Sequence, residues 1–201
     1  MLLKRFRLES RRQICAVIPW VTVSAALFVL LSIGGMSCQE PTRQEWAADG
    51  VIISGEYVDR VSYEDYEIHW DSDGQHVYIG IRAKTSGWVA VGFQPEPLHR
   101  ETDMVLGFVE GGRASVFDMF STAELGPCTA DSELGGSDDV LEYAGREDDG
   151  YTVIEFKRLL STGDDYDGEL FSGENDIIWA YSSFDDPRQK HTDRGHGEIE
   201  L

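Results

Sequence analysis

Positive charge is scarce in this sequence: 17 Lys and Arg stand against 37 Asp and Glu in 201 residues, a formal net charge of −20. Only Lys84, Lys157 and Lys190 supply lysine beyond the leader. Such a field repels phosphate backbones and excludes nucleic acid as a partner. Cysteine is equally sparse, with three in the chain, so no disulfide framework exists and no C-x-x-C-H is present for covalent haem attachment. Cys128 has no histidine near it in sequence and reads as a small loop or core residue. No stretch after the leader carries helical periodicity over ten or more residues. G-x-S-x-G, H-E-x-x-H and P-loop motifs are absent, and no Cys/His pair has catalytic spacing, so the sequence does not read as an enzyme. With 41% hydrophobic and 11% aromatic residues the chain still has material for a core.

The charge is unevenly placed. Residues 1–37 hold five basic side chains and one acidic, which leaves 12 basic against 36 acidic, a net of −24, over residues 38–201. The basic cluster precedes an apolar run at residues 14–33, the pattern of an export leader over residues 1–38. Ser10-Arg11-Arg12-Gln13-Ile14 is similar to a twin-arginine signal, and Gly35-Met36-Ser37-Cys38 to a relaxed lipobox in which Cys38 takes the lipid. An uncleaved anchor helix is the alternative, since about 20 apolar residues span a bilayer. Every version places the remainder outside the cytoplasm, in the periplasm or at the cell surface, and a lipidated or uncleaved leader also tethers it to the membrane of the cell envelope.

Residues 39–48 read as a polar linker, and from 49 onward the hydrophobic period is two. Ile68 and Trp70, then Val77, Ile79 and Ile81, form the inner face of a hairpin turning at Ser72-Asp73-Gly74. His69 and His76 fall on the polar phase and are expected at the surface. Further strands are expected at 88–93, 103–109, 114–120, 151–156, 177–181 and 198–201, with long loops at 121–139 and 157–175. Many short strands separated by turn signals predict an all-β, antiparallel immunoglobulin-like sandwich. The run Gly163-Asp164-Asp165-Tyr166-Asp167 lacks the spacing of a calcium loop and reads as a solvated acidic segment.

An ordered set of motifs then carries a resemblance over residues 49–201: Ile53-x-Gly55-x-Tyr57, Gly87-Trp88-Val89-Ala90-Val91-Gly92-Phe93, Asp103-Met104-Val105-Leu106-Gly107-Phe108 and Val116-x-Asp118. Phe156-x-Arg158-x-Leu160, Ile178-Trp179-Ala180-Tyr181 and His191-x-x-Arg194-Gly195 complete it. Together they resemble the DOMON domain, the dopamine-β-monooxygenase N-terminal-like sandwich. That resemblance implies a ligand-binding module, holding a non-covalent b-type haem in many members and proposed to bind sugars in others. It places one axial ligand at His191. The other family ligand is a methionine in the loop before the strand that starts near Asp103, and here that slot holds His99. Met104 competes as a methionine inside the strand. Two histidines in place of a histidine–methionine pair favour ferric iron and a lower potential.

Lys190 and Arg194 flank His191 and are candidates for the haem propionates. Trp88, Phe93, Leu98, Phe120 and Trp179 are candidate walls, with the sandwich core an equal alternative for each. An iron with two protein ligands has no open position, so the implied role is electron transfer with a separate redox protein that has a basic docking face. The rival reading is a haem-free module for a carbohydrate or another small ligand, with Trp88 and Trp46 stacking on it.

Overall fold

The computed structural model describes residues 43–95, 101–122 and 128–201. The first strands are β1 (Asp59–Tyr63), β2 (Tyr66–Ser72), β3 (His76–Ala83), β4 (Val89–Phe93), β5 (Thr102–Glu110) and β6 (Arg113–Ser121). After β7 (Thr129–Ala130) comes one short helix, α1 (Asp131–Leu134), then β8 (Glu142–Asp148), β9 (Tyr151–Leu159), β10 (Glu174–Tyr181) and β11 (Asp193–Glu200). They form two antiparallel sheets, ordered β1-β2-β3-β9-β8 and β11-β10-β4-β5-β6-β7, packed face to face. The antiparallel sandwich expected from the period-two pattern is what forms.

Alternation sets the core. Ile68 pairs with Ile81 and Trp70 with Ile79, and all four are buried with Val77 between the sheets. Asp73 closes the turn by accepting the N–H groups of Gln75 and His76, while Gly74 takes a φ of 84°. From the second sheet, Val89, Val91, Phe93, Val105, Ile177 and Trp179 point inward. The Tyr66 hydroxyl donates to the Ala90 carbonyl and the Trp70 indole to that of Glu200, which ties the sheets together.

The outer faces of the two sheets differ. Residues 43–58 lie across the outer face of the first: Arg43 pairs with Asp71, Trp46 packs on Tyr78, and the Trp46 indole donates to the Tyr57 hydroxyl. The Glu155 carboxylate fixes this segment by accepting the N–H groups of Asp49, Gly50 and Val51 and the Tyr57 hydroxyl. The described part of the expected linker, residues 43–48, is therefore docked on the sheet. For the same reason His69 is not at the surface; with Tyr57 over it, it is 8% exposed. His76 stays half-buried beside Asp73.

Candidate functional site

The outer face of the second sheet is apolar. Strand register places Ala90 and Gly92 of β4, Met104, Leu106 and Phe108 of β5, and Ile178 and Ala180 of β10 on that face, and Trp88, just before β4, packs with them. Trp88, Ala90, Leu106 and Met119 are buried there as a second cluster, separate from the core between the sheets. Small residues line its middle, Ala180 opposite Ala90, so a flat group can approach the backbone.

His191 lies in the loop just before β11, half-buried, at the end of the face where β4 begins. Burial, with Arg194 and Lys190 nearby, pushes its imidazole below the usual histidine range. It is thus neutral at pH 7, as a metal ligand must be. The loop is held by Thr192 N–H donating to Tyr181 and by the Trp88 indole donating to Gln189 at 3.3 Å. Arg194 pairs with Ala180 in register, standing exposed at the rim of the face, and Lys190 is exposed next to His191. The structure therefore brings His191, Lys190, Arg194 and Trp88 to one end of one face.

The other expected residues divide. His99, Leu98 and Cys38 lie outside the described residues, as does the leader. The β4–β5 connection that carries His99 leaves the sheet at Phe93 and returns at Thr102, the end opposite His191. Met104 is on the outer face within a strand, its sulfur 3.3 Å from Cys128 Sγ. Burial pushes the Cys128 thiol up to about 11, so it stays protonated and is no nucleophile. Phe93 and Trp179 are not walls of this face but part of the inner core, where Trp179 stacks with Tyr63 and Tyr66. Phe120 also points inward, against Tyr166.

A second group of functional side chains was not anticipated. Asp103, Asp118 and Arg158 all occupy the inward phase of their strands, alongside Val105, Val116 and Phe156, and meet between the sheets at one end. The Arg158 guanidinium pairs with Asp103 and lies 3.7 Å from Asp167, with both Asp103 and Arg158 almost fully buried. Asp167 is turned inward, so the acidic run is not a solvated loop at this residue; Asp164 accepts the N–H groups of Ser137 and Tyr166 instead. Burial raises the carboxyl of Asp103 to about 6, of Asp131 to about 7 and of Asp118 to about 8. An acid whose folded value lies above its ordinary 3.8 holds a proton that the unfolded chain releases, so stability falls as pH rises from about 4 to about 8. Melting in EDTA-containing buffer should accordingly drop by several degrees over that window. Asp118→Asn should flatten the slope.

The sheet order, with one outer face covered by the chain's own N-terminal segment and the other apolar, defines a two-sheet β module with two unlike outer faces. The DOMON domain model matches residues 62–182, and the chain belongs to that family. The DBH-like monooxygenase protein 1 of Mus musculus is 34% identical over 140 residues, and that of Homo sapiens 31% over 140. Each match covers 68% of this chain but 22% of the relative, so the chain spans about a fifth of the length of these proteins, and the shared part is the DOMON domain alone. Among solved structures, the cytochrome b domain of pyranose dehydrogenase from Coprinopsis cinerea shares the fold, with a TM-score of 0.53 and 16% identity over 70% of this chain and 80% of that one.

Proposed function

We propose that this DOMON module binds haem b without a covalent link on the outer face of its second sheet and passes single electrons to and from a separate redox protein. The observation that carries the reading is the half-buried His191 at the edge of a buried apolar face built around small residues. A group with an apolar body and anionic substituents fits that combination: Ala90, Ala180, Leu106 and Trp88 would pack on the body, and Arg194 and Lys190 would pair with the anionic groups. His191 and His99 would hold the iron, which supplies one-electron chemistry when bound. The chain's own contribution is to exclude water from the apolar face and keep the His191 imidazole deprotonated. The cytochrome b neighbour supports the cofactor class, and the catalytic parts of the longer relatives do not enter. The carbohydrate alternative loses its Trp46 platform, because that ring lies on Tyr78.

The same reading takes the leader as an export signal with Cys38 as the lipid anchor, so that the module works outside the cytoplasm, held at the membrane. Its acidic surface suits a partner with a basic docking face, an association that weakens as salt rises. The test is spectroscopic. Purified protein reconstituted with haem should show a low-spin ferric Soret band and sharp α and β bands after dithionite, and His191→Ala should abolish them. A chain that retains no haem overturns the proposal, and loss of the low-spin spectrum in Met104→Leu but not in His99→Ala would make Met104 the second ligand.

A further inference from the structure

Between the sheets, away from the apolar face, three carboxylates converge with more negative charge than their one cation balances. Asp103, Asp118 and Asp167 each present an oxygen, and no two of these oxygens are more than 4.8 Å apart. Asp103 is 2% exposed and Asp118 is 4% exposed. Oδ1 of Asp103, Oδ1 of Asp118 and both oxygens of Asp167 have no hydrogen-bond partner among the described residues. Their remaining oxygens are fixed: Gly168 N–H donates to Asp103 Oδ2 at 3.0 Å and Asp139 N–H to Asp118 Oδ2 at 2.8 Å. Each of these two carboxylates is thus clamped through one oxygen with the other left for the centre. A buried, ionised oxygen without a partner is costly, and three together are costlier. Three carboxylates and the Arg158 guanidinium sum to a charge of −2 when ionised, which one divalent cation cancels.

We propose that Asp103, Asp118 and Asp167 form a binding site for a calcium-class cation at this end of the sandwich. The donors are all hard oxygens, with no sulfur or imidazole among them, which selects calcium or magnesium over zinc or copper. Span decides between the two. Ligand oxygens about 2.3–2.6 Å from Ca²⁺ lie up to about 5 Å apart across the ion, whereas the octahedron of Mg²⁺, at about 2.0–2.1 Å, allows only about 4 Å. The oxygens all lie within 4.8 Å of one another, a limit that the larger ion accommodates without any of them moving. A cleft of about 450 Å³, lined by Glu101, Asp103, Asp165, Tyr166 and Asp167, gives the ion a path from solvent and room for water ligands.

The test needs no haem, so its failure is separate from failure of the cytochrome reading. EDTA-stripped full-length protein, exchanged into chelator-free buffer, is titrated with CaCl₂ by calorimetry and with TbCl₃ by luminescence excited through tyrosine. The expectation is one site per chain, a melting temperature raised by calcium, Tb³⁺ emission displaced by calcium, and at least tenfold weaker binding of Mg²⁺. Asp118→Asn and Asp167→Asn, near-isosteric and checked for fold by circular dichroism, should each weaken calcium by at least tenfold. Asp186→Asn, on an exposed loop, should leave it unchanged. No saturable calcium binding at millimolar concentration overturns the site, as does equal binding in all three variants, which would mean diffuse attraction to an acidic surface. Equal affinity for magnesium overturns the calcium assignment.

Discussion

Arg158→Met should be the most damaging single substitution in the described fold, costing about 3–5 kcal/mol, the range for breaking a buried ion pair by removing one partner. The methionine fills the space but leaves Asp103, Asp118 and Asp167 facing one another without the guanidinium that pairs with Asp103 and sits beside Asp167. Thermal melting should show a fall of about 6–20 °C, since a domain of this size loses roughly 2–4 °C per kcal/mol. The loss should be larger at pH 8 than at pH 5, because the carboxyl of Asp103 is then ionised and that of Asp118 about half so. Adding Asp103→Asn should recover part of it. An Arg158→Met protein that melts with the wild type at pH 8 would show that the guanidinium does not stabilise the fold.

Glu155→Leu should release the N-terminal segment. One carboxylate oxygen accepts three backbone N–H groups, from Asp49, Gly50 and Val51, and the other accepts the Tyr57 hydroxyl at 2.7 Å. Leucine removes the common acceptor of four donors, and each buried donor left unpaired costs about 1–3 kcal/mol. Partial solvent access limits the total to about 3 kcal/mol. Hydrogen exchange should accelerate over residues 47–58 while β4, β5 and β10 keep their protection, and limited proteolysis should cut first in the same stretch. Uniform protection after the substitution would mean that Trp46 and Tyr57 hold the segment without Glu155.

The sandwich was legible wherever a strand has one wet face or two dry ones. The alternation in β2 and β3 gave both the hairpin and its inward set, and the apolar run of β4 marked a strand covered on both sides. β1 and β8 escaped because they are edge strands: Asp59-Arg60-Val61-Ser62-Tyr63 and Glu142-Tyr143-Ala144-Gly145-Arg146-Glu147-Asp148 carry charges that discourage edge pairing and hide the alternation. β7, two residues long, has no pattern to read.

The site was legible unevenly and for related reasons. His191 and Arg194 stood out through a motif, and Trp88 through the run that opens β4. Phe93 and Trp179 stayed open between wall and core because an aromatic residue looks the same from either face until register is known, and both fall in the core. The acidic cluster left a signal that composition obscured. In a chain with 37 acidic residues, Asp103 and Asp118 look ordinary, yet each shares phase with buried valines, and Arg158 shares phase with Ile154 and Phe156. Charged residues on the dry phase of three strands predict a buried polar centre.

The strap of residues 43–58 also gives the sandwich a front and a back. Arg43, paired with Asp71, begins that strap on the first sheet. The apolar face belongs to the second sheet, on the reverse. The two surfaces are therefore not interchangeable: one is closed by the polypeptide itself through the Glu155 carboxylate, and the other is built of apolar side chains.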